Sequence, residues 1–351
     1  MPFWQHQLDE AFVTRVPLRA AVVCAAALLL APSVGAQVTT DRGASILIFP
    51  KVIADASADT TLQVTNLSDN NVNVQCAYVD GTSDSWQSTS FALALESQRP
   101  VHWTAARGRT AGPGEPPLDI PAAPASFRGE LLCVQVDGTG APFGGNELAG
   151  QATISQLASA GVSAYTAFGL RGSGLNDGDE FLCIGDAPSD NCFLGVGEYE
   201  GCPDEWILSV PAEGTNEAQL SPGSRLSSRM TVVPCSQNLR DGAPSLVTIE
   251  ITVFNELGQQ FSGGVSVSCW ADLSLSEVGG QIFDRDMLGT DYAEARLRPA
   301  DGSGGFMLLA ETTRATGDAV VIASSTSVNP HHRGVSAASD VIVLPAASPV
   351  P

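Results

Sequence analysis

Residues 61–80 read TLQVTNLSDNNVNVQCAYVD, and the fold follows from how that stretch is parsed. In Leu62-Gln63-Val64-Thr65, and again in Val72-Asn73-Val74-Gln75-Cys76-Ala77-Tyr78, apolar and polar side chains alternate. Successive side chains of an extended chain point to opposite faces, so the pattern places one face of each run on a core and the other in water. Residues 66–71 between them are rich in Asn, Ser and Asp, whose side chains bond their own backbone and favour turning. The stretch predicts a β-hairpin with a cysteine in its second strand.

Working outward, Ser45-Ile46-Leu47-Ile48-Phe49 reads as a preceding strand closed by Pro50, which cannot donate to a ladder. On the other side Phe91-Ala92-Leu93-Ala94-Leu95 alternates, a polar turn follows, and Val101-His102-Trp103 is a short strand. Residues 107–127 are rich in Pro, Gly and Ala without any period, which predicts a long loop. Strand character resumes at residues 129–136 (GELLCVQV), 151–155 and 165–170.

The same landmarks return later in the same order, which predicts an internal duplication. Met230-Thr231-Val232-Val233-Pro234 answers Ile46-Leu47-Ile48-Phe49-Pro50, residues 249–255 answer 60–66, and Val267-Ser268-Cys269-Trp270 answers Val74-Gln75-Cys76-Ala77. Residues 305–310 answer 129–134, and the tetrapeptide GVSA begins at both Gly161 and Gly334. The expected class is all-β: two immunoglobulin-like β-sandwich domains related by duplication, residues 37–172 and 226–345, with a disulfide-bearing insert, 173–225, between them. Residues 346–351 form a tail.

Composition sets the compartment and removes some partners. The 351-residue chain is 44% hydrophobic and only 16% charged, with a formal charge of −21. That balance disfavours nucleic acid and anionic membrane surfaces as partners. Arg15 and Arg19 precede an apolar run, residues 20–31, and Val34-Gly35-Ala36 offers small residues for cleavage, so residues 1–36 read as a signal peptide. The run is shorter than the ~20 residues a spanning helix needs. The product is expected to be exported, without an integral membrane segment once the signal is removed.

Cys24 lies within that signal, leaving seven cysteines for an oxidising compartment. Cys76 and Cys133 sit mid-strand, predicting a bridge across the first sandwich. Cys183 and Cys192 bracket a short polar loop and pair locally. If residues 206–210 run antiparallel to 230–233, Cys202 falls opposite Cys235. Cys269 is then the free thiol, with Cys235–Cys269 as the alternative pairing.

No GxSxG elbow accompanies the histidines His102, His331 and His332, and the last two, after Pro330, read as a loop cap. The chain is expected to need no cofactor. Asp177, Asp179 and Glu180 have the alternating spacing of a calcium loop without its distal glutamate, and Glu198, Glu200, Asp204 and Glu205 form a second acidic group. Trp86, in the polar run 81–90, is the tryptophan best placed to stack on a ligand such as a sugar.

Phe49-Pro50, Thr61-Leu62-Gln63-Val64-Thr65-Asn66 and Val72-Asn73-Val74-Gln75-Cys76 resemble the N-terminal sandwich of PapD-like and related immunoglobulin-like domains, as found in exported bacterial proteins. The resemblance implies a secreted, periplasmic or cell-surface bacterial protein. Fimbrial chaperones with this pattern hold a subunit carboxylate with a basic pair; Lys51 lies near the corresponding strand, but no second basic residue is placed by the match. The expected function is therefore a non-enzymatic binding or surface role through loops and strand edges, with a protein or surface glycan as partner. The alternatives are a calcium-dependent carbohydrate-binding or hydrolytic protein built on the insert, and a periplasmic chaperone-like protein.

Overall fold

The computed structural model describes residues 41–113, 118–159, 161–185, 192, 197–215, 224–316, 321–335 and 340–345, with backbone alone for 316 and 321–325. The expected signal peptide with Cys24 and the expected tail fall outside the described residues.

Nearly all the regular secondary structure of the described chain is strand. Its first part contains β1 (Ile46–Ala54), β2 (Ala58–Asn66), β3 (Val72–Asp80), β4 (Ser88–Leu95), β5 (Pro100–Thr104), β6 (Phe127–Val136), β7 (Leu148–Gln156), β8 (Val162–Thr166) and β9 (Phe168–Leu170). Then follow β10 (Phe181–Ile184), β11 (Glu205–Pro211), β12 (Ser224–Pro234), β13 (Gln237–Asn238), β14 (Leu246–Asn255), β15 (Gln260–Ser268) and β16 (Ala271–Ser274). The short helix α1 (Arg285–Leu288) precedes β17 (Tyr292–Pro299), β18 (Phe306–Thr316), β19 (Val321–Val328), β20 (His331–Arg333) and β21 (Asp340–Val343).

In the first part the strands bond in the order β4-β3-β6-β1-β2-β7-β8, with β9 added to β1 and β5 to β2. Only the pair Ala54↔Asp59 joins β1 to β2, so the sheet folds over at that corner. Leu47, Phe49, Cys76, Tyr78, Leu131 and Cys133 then share a core with Leu62, Val64, Trp103, Ala152 and Ile154.

Residues 61–80 form two strands but no hairpin. β2 bonds to β1, β5 and β7, whereas β3 bonds to β4 and β6. The connection is an arch between the two halves of the folded sheet. Buried Asn66 holds it: its Oδ1 accepts from the Ser68 amide at 2.8 Å, and its Nδ2 donates to the carbonyls of Asn70, Leu95 and Glu96 at 2.6, 3.2 and 3.1 Å. Turn-forming chemistry was correctly placed there, but the chain turns between layers. The matched residues 249–268 do form a hairpin, β14–β15, and Asn255 repeats the device, accepting from the amides of Leu257 and Gln259.

β3 also departs from the expected water-facing side, because its second face is buried as well. Along β1, Leu47 and Phe49 enter the first core, while Ile46 and Ile48 enter a second core. The same division separates Leu131 and Cys133 from Leu132 and Val134 on β6, and Cys76 and Tyr78 from Ala77 and Val79 on β3. The second core is built mainly from residues of two further sheets, β15-β14-β17-β11-β20 and β16-β12-β18-β19. Trp206, Leu208, Ile249, Ile251, Met230, Val232, Phe306 and Leu308 all belong to it. The small sheet β10-β21-β13 adds Leu182, Ile184 and Ile342. A sheet with both faces covered explains the uninterrupted apolar runs of β1 and β6.

β11, within the expected insert, runs between β17 and β20 rather than beside β12. Of the matched segments, β1–β6 and β12–β18 pair in one register, Ile46 opposite Val134 and Met230 opposite Ala310. Beyond that pair the halves differ in strand order: β6 is flanked by β3, which precedes it, and β18 by β19, which follows it.

Candidate functional site

Two features stand out as places where chemistry or binding could be built: a polar cluster at a bulge in β1, and the outer edge of β15. The β1–β6 ladder shifts register between Phe49 and Val52, because Pro50 brings no amide to it. The backbone groups freed at the bulge are bonded by side chains. Tyr165 Oη donates to the Lys51 carbonyl at 2.5 Å and accepts from its amide at 3.2 Å, and Trp270 Nε1 donates to the Pro50 carbonyl at 2.7 Å. Burial pushes the Tyr165 hydroxyl well above the ordinary phenol range, so it serves here as a neutral donor and acceptor.

The bulge turns Lys51 away from water; its side chain is 3% exposed. Its ammonium donates to Glu311 Oε2 on β18 at 2.8 Å and to Asp272 Oδ1 on β16 at 3.1 Å. Asp272 also accepts from Arg229 Nε at 3.2 Å and from Thr231 Oγ1 at 3.2 Å, and Glu311 Oε1 accepts from Ser163 Oγ at 3.3 Å. An amine from the first part of the chain is thus closed in by carboxyls from the last part. In this setting Lys51 is not presented to an outside carboxylate.

β15, with the sequence QFSGGVSVS, bonds to β14 in an uninterrupted ladder from Leu246↔Ser268 to Phe254↔Gln260, and to no other strand among those described. Gln260, Ser262, Gly264, Ser266 and Ser268 face out, while Phe261, Val265 and Val267 pack toward the core. Edge strands are usually blunted by charge, proline or bulges. β15 carries none of these.

Other groups singled out in the sequence serve the fold. Trp86 is 1% exposed in the second core, so it presents no stacking surface. The polar run around it marks a loop folded inward. Glu198 accepts from the amides of Asp177 and Cys183, Asp177 Oδ1 from the amide of Asp179, and Asp179 Oδ1 from that of Phe181, while Glu180 pairs with Arg240 at 2.7 Å. Burial, then the neighbouring Asp177 and Glu180, hold the Asp179 carboxyl above its ordinary range. Asp177, Asp179 and Glu180 do not bring three ligand atoms to a common cation position among the described residues. The second acidic group also disperses: Glu200 lies by Arg171, and Glu205 pairs with Arg298 and Arg333. Among the described residues one group of metal-capable atoms comes together, Cys202, Cys235 and Asp340, and its two sulfurs are bonded to each other.

The disulfides are Cys76–Cys133, Cys183–Cys192 and Cys202–Cys235, and Cys269 is a buried free thiol. Cys76 and Cys133 are facing residues of adjacent strands, so the bridge lies within one sheet and not across the sandwich. Cys202 meets Cys235 although β11 and β12 do not pair. His331 and His332 lie in the edge strand β20, not in a loop cap, and His332 packs edge-on against Trp206.

Glu130 is the group that sequence reasoning missed. It lies on the second-core face of β6, fully buried, and neither carboxyl oxygen has a hydrogen-bond partner among the described residues. Gln237 nearby compensates only in part, and desolvation pushes its carboxyl up to about 8. Its position in GELLCVQV gave a signal, since alternate residues of that run, Leu132 and Val134, are apolar on the same face.

No helix among the described residues is long and apolar enough to cross a membrane. No family model matches the chain, and no curated protein matches it. Among solved structures, the crystal structure of Thermotoga maritima 1070 is similar over 36% of this chain and 95% of that one, at 9% identity and a TM-score of 0.26, a likeness too slight to carry an argument.

Proposed function

We propose that this chain is an exported, non-enzymatic binding or surface protein that takes an extended segment of a partner protein along the free edge of β15. The observation carrying this reading is an uncharged, proline-free edge nine residues long, with one face already packed on a core. Such an edge offers alternating amides and carbonyls to an added strand, and backbone bonding supplies affinity while alternate side chains supply selectivity. Apolar side chains of the guest would cover half-exposed Phe261 and Val265, and a charge of −21 favours a neutral or basic segment. Three disulfides fit an oxidising compartment.

The test compares wild type with a Ser262→Lys/Ser266→Lys variant, both positions being exposed on β15. A partner recovered from the exported fraction of the source cells should slow amide exchange in β15 and lose affinity for the variant at unchanged melting temperature. A partner that protects other strands and leaves β15 exchanging freely overturns the reading.

A further inference from the structure

Lys51 is the only lysine of 351 residues, and it is buried at the junction between β1 and the sheet carrying β16 and β18. A surface ammonium would cost nothing to solvate, and a buried ion pair rarely adds stability over apolar packing. What sets this cluster apart is that one amine meets two carboxyls with different surroundings. Glu311 is nearest to the nitrogen, at 2.8 Å, and can take a proton from it. Asp272, at 3.1 Å, is held on its other lone pairs by the Arg229 guanidinium and the Thr231 hydroxyl, donors that would polarise the carboxyl and stabilise negative charge on its oxygens.

We propose that Lys51 Nζ and Asp272 Cγ condense into an amide, an intramolecular cross-link between β1 and β16 formed by the chain itself with Glu311 as proton carrier. Nζ–H passes a proton to Glu311, and the free amine attacks Cγ, forming the C–N bond and placing negative charge on oxygens faced by Arg229 and Thr231. Glu311 delivers the proton to one Asp272 oxygen, takes a second proton from the nitrogen, and delivers that as the C–O bond breaks. Of the three ammonium hydrogens one stays on the amide and two leave in a water molecule with one Asp272 oxygen; Glu311 ends as it began. No oxidant or reductant is involved. Holding the reactants in contact replaces a bimolecular encounter with an intramolecular one, and exclusion of water favours condensation over hydrolysis. The product removes two opposite charges from the interior and closes a loop spanning 221 residues.

The full chain, purified, reduced and denatured, is examined by intact mass and peptide mapping. The expected result is a mass lower by one water than the sequence requires, no cleavage after residue 51 by a lysine-specific protease, and a branched peptide joining Lys51 to Asp272. Asp272→Ala and Glu311→Ala should each restore the missing water. Full mass in wild type, with Lys51 open to amine labelling after denaturation, overturns the proposal without recourse to any variant. A branch to Glu311 in place of Asp272 overturns the assignment of roles.

Discussion

Glu130→Gln should raise stability by an amount that depends on pH, and the dependence identifies the cause. In the folded protein burial lifts the Glu130 carboxyl from its ordinary 4.5 to about 8, against partial relief from Gln237. Folding therefore keeps a proton that the unfolded chain releases. The sign follows: the stabilising contribution of the neutral acid is complete below pH 4.5 and is lost as pH rises through 8. At ~1.4 kcal/mol per pH unit, the wild type loses about 4 kcal/mol between pH 4.5 and 7.5 and roughly 5 kcal/mol by pH 8.5. Gln has nearly the same shape, stays neutral in both states and escapes that loss. For a protein of this size the gain corresponds to a rise of roughly 6 °C in Tm at pH 7.5. Asp340, also lifted by burial, to about 6, is common to both proteins and cancels in the difference. The assay is thermal unfolding of both proteins by circular dichroism from pH 4 to 9. The curves should meet near pH 4, separate as pH rises toward 8, and run parallel above it. Curves parallel across the whole range would refute the assignment of a buried, proton-holding Glu130.

Three further outcomes follow from the packing. Replacing Cys76 and Cys133 together by Ala should cost about 4 kcal/mol in the chain-entropy model, since the bridge closes 57 residues, and urea titration under matched conditions measures it. Asn66→Ala leaves the carbonyls of Asn70, Leu95 and Glu96 and the Ser68 amide without their partner, so a loss of about 3 kcal/mol is expected in the same titration; a change below ~1 kcal/mol would show that the arch is held elsewhere. Cys269 is buried, and desolvation first, then Asp84 and Glu130, hold its thiol above the ordinary range, so iodoacetamide at neutral pH should label it only after denaturation. Rapid labelling of native protein would contradict that placement.

Strand identity was legible because it is written in local patterns. Leu62 and Val64, Phe91 and Leu93, and Val101 and Trp103 alternate, and each run is a strand. Strand partnership was not legible, since β2 and β3 alternate equally well whether they pair with each other or with β5 and β6. The Asn66 turn is compatible with both. The second burial of β1 and β6 left a trace in the unbroken runs ILIF and LLCV, where no position is given to water, but those runs do not name what covers them. Trp86 was misplaced because polar neighbours report the surface of a loop's backbone and not the direction of one large side chain. The Lys51 cluster joins residues 221 and 260 positions apart, a separation at which single-sequence patterns carry no signal.

Leu309 belongs to a core whose other buried members all come from residues 44–167. As the chain is synthesised, the first sandwich must therefore wait for a side chain that arrives near the end. Until then the Ile46, Ile48, Leu132 and Val134 face is largely bare as well, since most of the strands that share its core lie beyond residue 200. Late, long-range closure of this kind slows folding and exposes sticky surface on the way. A fragment ending at residue 172 would carry that surface permanently, so the two sandwiches are expected to be inseparable as recombinant pieces, and a nascent chain to depend on whatever shields it until β18 is made.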